Sequence, residues 1–256
     1  MIKGKRSRTR SSAADRARTS EASPKPGPRT LAIDIGGSGL KASVLDTDGT
    51  MLADRVRCAT PVGGPPRENI EALVRLVEPL PPFDRVSVGF PGVVRDGRIL
   101  TAPNLKHEDW EGFDLARELT KRFGKPTRVA NDADMQGLAA VRGKGVELVI
   151  TLGTGFGTAL YLDGRLAPHL ELAHHPFRKG ESYEEQLGNA ARKAAGGKKW
   201  QKRIRRAIKN LRALVHFDHL YIGGGNAKKI RFTPDPDTTI ISNETGIRGG
   251  IALWRD

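Results

Sequence analysis

The chain has 256 residues, one cysteine (Cys58) and a formal net charge of +14, from 43 Lys and Arg against 29 Asp and Glu. Such a length buries a sizeable core, as one large domain or two small lobes. A single cysteine excludes a disulfide framework and a multi-cysteine zinc site and suits a reducing cytoplasmic setting, and no apolar run approaches the roughly 18 residues of a membrane helix.

Residues 1–29 hold nine Lys/Arg and two acids, a local charge of +7, with few large apolar side chains. This composition does not offset the entropy of ordering and predicts a disordered basic tail without the apolar core of a secretory signal. Near position 30 the pattern changes. Leu31–Ile35 reads as a strand ending in Gly36-Gly37-Ser38-Gly39, Lys41–Asp46 as a second, Asp46–Gly49 as a turn and Met51–Val56 as a third strand. Residues 68–78 have helical periodicity, stopped by prolines. Arg85–Phe90 is a strand, 113–123 a helix, Thr127–Ala130 a short strand and Asp132–Arg142 a helix opened at Asn131-Asp132.

The opening pattern then recurs. Leu148–Leu152, the loop Gly153–Gly157 and Thr158–Leu162 repeat the first hairpin at an offset of 117 residues, which puts Gly36 on Gly153 and Asp46 on Asp163. Two lobes of common origin follow, at 30–130 and 131–256. A helix over 183–195 is broken at Gly196-Gly197. Beyond it Trp200, Ile204, Ala207, Ile208, Leu211, Leu214 and Val215 form an apolar helical stripe. The segment 192–212 carries ten Lys/Arg and no acid, +10, which leaves −3 for the rest of the chain. The strand Leu220–Ile222, the loop Gly223–Asn226, a strand at Thr239–Ile241 and a closing helix near Thr245 complete the chain.

Glycine loops after strands let backbone N–H groups approach anionic oxygens. Dinucleotide and Walker loops lead into a helix, however, and these lead into a strand, with neither consensus spacing present. A strand–glycine loop–strand unit used twice resembles the two-lobed α/β sugar kinase/Hsp70/actin fold, with ribonuclease H-like lobes around a central cleft. Asp34-Ile35-Gly36-Gly37-Ser38, Gly89-Phe90-Pro91-Gly92, Pro103-Asn104-Leu105, Asn131-Asp132-Ala133, Leu152-Gly153-Thr154-Gly155 and Gly223-Gly224-Gly225 stand in the order found in the ROK family of sugar kinases, which the chain resembles over residues 30–256. The wording from Asp34 to Lys41 is most similar to its polyphosphate/ATP glucokinase and glucomannokinase branch.

The resemblance implies phosphoryl transfer to the 6-hydroxyl of glucose, and of mannose, from polyphosphate or ATP. Asp132 matches the family's general base. Asn104, Asn131, Glu171, His174 and a glutamate further on, best Glu184 with Glu181 and Glu185 as rivals, match its sugar contacts. Asp34, Gly36, Gly37, Ser38, Lys41, Thr154 and Gly155 fall at its phosphate-binding positions. Mg2+ is expected on the donor phosphates, held through water by Asp34 or Asp132. Zinc is not, because the stretch from His175 to Glu181 lacks the cysteines of the family's zinc motif. A monomer or homodimer fits equally.

For a polyphosphate donor the basic helix offers a track in Lys199, Lys202, Arg203 and Arg206, by the counterion-release logic of nucleic-acid backbones. An ATP-only hexose kinase is the alternative within the family, and a catalytically silent sugar sensor is another. The alternative from a different class is a nucleic-acid-binding protein, which the charge invites. Aromatics at 5% and the absence of standard binding motifs speak against it, so nucleic acid and membrane are not expected partners.

Overall fold

A computed structural model of the chain describes residues 27–242 and 244–255. The expected tail lies outside them as far as residue 26. In chain order the elements are β1 (Thr30–Ile35), β2 (Leu40–Leu45), β3 (Val56–Cys58), α1 (Pro66–Val77), β4 (Arg85–Phe90), the small hairpin β5 (Val94–Arg95) and β6 (Arg98–Ile99), α2 (Leu115–Phe123), β7 (Thr127–Asn131) and α3 (Asp132–Leu138). There follow β8 (Val146–Leu152), β9 (Phe156–Leu162), β10 (Arg165–Leu166), the hairpin β11 (Pro176–Arg178) and β12 (Glu181–Ser182), α4 (Tyr183–Leu187), α5 (Asn189–Ala195), α6 (Gly197–Val215), β13 (His219–Gly223), β14 (Thr238–Ile240) and α7 (Glu244–Ala252).

The strands form two five-stranded sheets, ordered β3-β2-β1-β4-β7 and β10-β9-β8-β13-β14. In each, the first three strands are antiparallel and the last two join in parallel. The same order and sense twice over is the duplication anticipated from the glycine loops. The hairpins differ by one residue: Ile33 pairs with Ala42, whereas the equivalent Ile150 pairs with Thr158.

Each sheet has its own core. Leu31, Ile33, Val86 and Val88 pack under Ile70, Leu73, Leu115 and Leu119 of α1 and α2. Leu148, Ile150, Leu220 and Ile222 pack under Trp200, Ile204, Ile208 and Leu211 of α6. Burying each such side chain stabilises the fold by about 1.5–3 kcal/mol. The anticipated stripe on α6 holds as far as Leu211, but Leu214 faces outward at 62% exposure. The helix α7 crosses back to the first sheet. Ile251 packs with Ala32 and Leu45, Ser87 Oγ donates to Gly250 O (2.5 Å) and Trp254 Nε1 donates to Ser87 Oγ (2.8 Å).

Three elements depart from the sequence reading. The third strand comes later, at Val56–Cys58, with only a single bridge from Met51 to Leu45 where it was expected to begin. The helix at Asp132 ends at Leu138 rather than Arg142, because the N–H groups of Arg142, Gly143 and Lys144 wrap the buried Glu147 carboxylate (2.7, 2.8 and 3.2 Å) and so leave the helical path. The helix expected over 183–195 also breaks at Gly188, whose backbone is extended. A Cβ there would meet Thr154 O at 2.8 Å, so the break lets the second glycine loop seat against the helix pair.

Candidate active site

A cleft of about 600 Å3 opens between the two sheets, within the size range of small-molecule sites. Its walls are the loops that leave β1 and β8, the start of α3, the segment 171–174, the first turn of α4 and the loop after β13.

The N-terminus of α3 sets the floor. Asn131 is its N-cap: Oδ1 accepts from Ala133 N (2.8 Å) and Asp134 N (3.3 Å), and Nδ2 donates to Gly92 O (2.9 Å). This settles which half of the Asn-Asp pair is the cap and leaves Asp132 facing the cleft. Burial, followed by the nearby Asp34 carboxylate, pushes Asp132 up to about 7, against the pull of the Ala133 N–H. Asp34 Oδ2 accepts from Lys41 Nζ (2.8 Å), its cross-strand partner in the β1–β2 pair.

The glycine loops face each other across this floor. In the first, Gly36 N donates to Gly39 O (3.0 Å), and Gly37 packs on Asn104 so closely that a Cβ would lie 3.0 Å from Asn104 Cβ. In the second, Gly153 N donates to Gly155 O (3.1 Å). The loop after β13 folds onto it: Asn226 Nδ2 donates to Gly153 O (3.0 Å), and Gly224, at φ +84°, lies where a Cβ would be 2.5 Å from Leu152 O.

Beside the second loop stand Glu171, His174 and Glu184, with Glu184 N donating to Ala173 O (2.9 Å). Glu171 Oε1 accepts from Ala173 N (2.9 Å). Desolvation opposes its ionisation, yet hydrogen bonds from His169 and Ala173 outweigh this and hold it below the usual carboxylate range. Of the three rival glutamates only Glu184 lines the cleft. Glu185 is spent on a capping box with Ser182, and Glu181 lies exposed on β12. The expected sugar and phosphate contacts Asn104, Asn131, Asp132, Glu171, His174, Glu184, Asp34, Gly36, Gly37, Ser38, Lys41, Thr154 and Gly155 therefore line one cavity.

Sequence reasoning missed Arg55, Gln136 and Asn189, which also line the cleft. Arg55 carries no motif, Asn189 stands in the Gly188-Asn189-Ala190 stretch that keeps the family spacing but was assigned no role, and Gln136 needed the α3 phase, four residues beyond Asp132. It also missed the buried pair His169 and Asp134 behind the wall, with His169 Nδ1 3.1 Å from Asp134 Oδ2.

The expected track lies outside this cleft. Lys199 and Lys202 line a second, shallower hollow with Ala195–Lys198 at the start of α6. Arg203 is partly withdrawn, donating to Gln186 O (3.2 Å), whereas Arg206 is exposed. Between cleft and hollow, Arg192 Nη2 donates to the cleft residue Asn189 (3.1 Å). Desolvation together with the charges of Arg192, Lys228 and Lys193 lowers the Lys229 ammonium, so cations crowd this rim.

Among the described residues no group of three or more His, Cys, Asp or Glu is arranged to hold a metal ion, and no helix is long and apolar enough to cross a membrane. Asp34 and Asp132 face the same cleft space, which fits a Mg2+ carried mainly by donor phosphates and water.

Comparison with known proteins agrees with this geometry. The family model described as ROK family matches residues 30–169. A polyphosphate glucokinase of Mycobacterium tuberculosis is 30% identical over 241 residues, covering 89% of each chain. The crystal structure of an inorganic polyphosphate/ATP-glucomannokinase from Arthrobacter sp. strain KM is 32% identical and superposes with a TM-score of 0.78, covering 90% of this chain and 100% of that one. A ROK family glucokinase from Streptomyces griseus, in complex with glucose and AMPPNP, shares the fold at 20% identity, with a TM-score of 0.70 over 88% of this chain and 98% of that one. The chain belongs to the ROK family, as an enzyme of its sugar-kinase type.

Proposed function

We propose that the chain moves the terminal phosphoryl group of inorganic polyphosphate or ATP to the 6-hydroxyl of glucose, and also of mannose, in a cleft built from lobes 30–130 and 131–256. The observation that carries this reading is Asp132: a carboxylate raised to about 7, freed from capping by Asn131 and set between two glycine loops and a wall of hydroxyl-binding side chains.

Phosphoryl transfer asks for positioning, charge neutralisation and a proton acceptor at the attacking hydroxyl. Glu171, His174, Glu184 and Asn104 hold the sugar by its hydroxyls. Asn131 has at most one amide hydrogen left for it, so its work lies chiefly in the helix cap. Asp132 takes the 6-hydroxyl proton as that oxygen attacks the phosphorus and the bond to the leaving phosphate breaks. A pKa close to neutrality suits a base that must also release its proton. The backbone N–H groups around Gly36–Ser38 and Thr154–Gly155, with Lys41, take the donor phosphates. Bound Mg2+ supplies charge neutralisation on the transferred group.

The donor reading rests on the rim. Arg192, Lys193, Lys228 and Lys229 lead from the cleft towards Lys199, Lys202, Arg203 and Arg206, and a linear polyanion has no base for a pocket to recognise. The test is a matrix of ATP and polyphosphate against glucose, mannose, fructose and N-acetylmannosamine, read as sugar 6-phosphate formed. Turnover of glucose with either donor supports the reading. No turnover with any pair overturns it.

A further inference from the structure

The strongest unassigned feature is a buried charge chain behind the sugar wall. His169 lies in the connection that follows β10, with its side chain 7% exposed, and its two ring nitrogens face two carboxylates. Nδ1 is 3.1 and 3.2 Å from Asp134 Oδ2 and Oδ1, and Nε2 is 3.5 Å from Glu171 Oε2. Asp134, 4% exposed, sits on α3 two residues after Asp132. Its backbone is fixed from both ends, since its N–H donates to Asn131 Oδ1 (3.3 Å) and its carbonyl accepts from Tyr161 Oη. One side of α3's first turn thus presents Asp132 to the cleft, and the other reaches the cleft again through Asp134, His169 and Glu171.

A neutral imidazole donates from only one nitrogen, so facing two ionised carboxylates with both nitrogens takes the doubly protonated ring; burial raises Asp134, and the hydrogen bond and charge of His169 oppose that rise. We infer that His169 is a positioning residue for the acceptor sugar: as imidazolium it keeps the Glu171 carboxylate ionised and aimed into the cleft and ties it to the helix that carries Asp132. The inference rests on the reading of Glu171 as a sugar ligand. It goes beyond that reading in assigning sugar affinity to a residue that the cleft does not expose.

The electrostatics agree. Burial alone would lower His169, but Asp134 and Glu171 outweigh it and raise the ring to about 9. The other titratable groups acting on this chain are Asp132, which senses the His169 charge, His174, which acts on Glu171, and Tyr161, whose ionisation Asp134 opposes. Because the folded value of His169 is raised, its contribution is complete below the ordinary histidine range and is lost as pH climbs through about 9.

The test uses the full chain and measures KM for glucose and for the donor, kcat and the thermal midpoint, for wild type, His169→Ala, His169→Gln and Asp134→Asn. Losing the 3.5 Å ion pair to Glu171 and leaving that carboxylate without its partner raises KM for glucose roughly tenfold or more while KM for the donor stays within about threefold. His169→Gln, which keeps donor hydrogens without the charge, recovers part of the loss. In wild type the glucose KM rises above about pH 9. In Asp134→Asn, which removes one of the two charges supporting the imidazolium, that rise moves to lower pH. If the variants are merely less stable, with both KM values changed alike and the alkaline limb unmoved, the inference is overturned. If wild type itself phosphorylates no sugar, it is the proposed function that has failed.

Discussion

Gly155 and Glu184 touch on one wall of the cleft: a Cβ on Gly155 would come within 2.2 Å of Glu184 Oε2. The loop proposed to hold phosphate is therefore shaped around the carboxylate proposed to hold sugar. Gly155→Ala is expected to fold, because the obstructed atom is the free end of a flexible side chain. Glu184 must swing aside to make room, so KM for glucose should rise about tenfold with a thermal midpoint within a few degrees of wild type. Steady-state kinetics with glucose as the varied substrate, beside a melting curve, reads both; an unchanged glucose KM contradicts the coupling.

Asp132 carries the second expectation. As the proposed general base it would contribute roughly 10^2- to 10^4-fold to the rate, so Asp132→Asn should lose kcat on that scale. Stability should move the other way. The folded pKa of about 7 exceeds the ordinary aspartate value, so the folded state binds more protons than the unfolded state across the interval between them. Stability contributed by this group falls as pH rises through that window, and the asparagine variant escapes the penalty. Melting curves at pH 5 and pH 8 should show the variant gaining on wild type at the higher pH, and wild-type kcat/KM should have an acid limb near pH 7.

The parts of this site that were legible in the sequence are those written locally. Gly36 and Gly153 are visible because a strand, a glycine loop and a strand are contiguous, and Asn131-Asp132 because a helix start has its own chemistry. The duplicated hairpin follows from the first of these, and the structure extends it to two five-stranded sheets of the same order. What was not legible depends on contacts distant in sequence. The early end of α3 is decided by Glu147, whose carboxylate claims the N–H of Arg142, the last residue of the expected helix, and those of Gly143 and Lys144 just beyond it. The break at Gly188 is decided by the approach of Thr154. His169 is one histidine among six until the fold sets Asp134, 35 residues earlier, against it.

The return of the chain end to the first sheet supplies the third expectation. A Cβ on Gly249 would lie 1.7 Å from Met135 O, a backbone atom of α3 that cannot give way as a side chain does. Gly249→Ala must push α7 away from the helix that starts at Asp132, which costs about 2–3 kcal/mol by the usual scale for overpacking. Denaturant unfolding should show that loss, and kcat should fall with it because α3 carries the proposed base. Gly112→Ala is the comparison variant for a change of the same size, since Gly112 has nothing within 4 Å of its Cβ position. Its positive φ of 76° leaves it some backbone strain but no packing clash.

The donor surface supplies the last. Of the ten bases in 192–212, several are already engaged: Arg212 with Asp235 and Asp237, Arg205 over the Phe232 ring at 4.7 Å, Arg203 with Gln186 O and Arg192 with Asn189. Lys199, Lys202 and Arg206, like Lys193, Lys198 and Lys209, are exposed and form no salt bridge among the described residues, so these three members of the proposed track are free to meet a polyanion. Replacing these three by Ser should raise KM for long-chain polyphosphate by an order of magnitude or more at low salt, and each lost phosphate contact should make log KM less steep in log salt by about 0.7–0.9. KM for ATP, whose three phosphates fall to the glycine loops in the proposed function, should change little, and chains of only a few phosphates should behave like ATP. Adding Arg203→Ser should contribute less than any of the three, since its guanidinium is already bonded. Equal losses for ATP and long polyphosphate would show that α6 supports the fold and does not guide the donor.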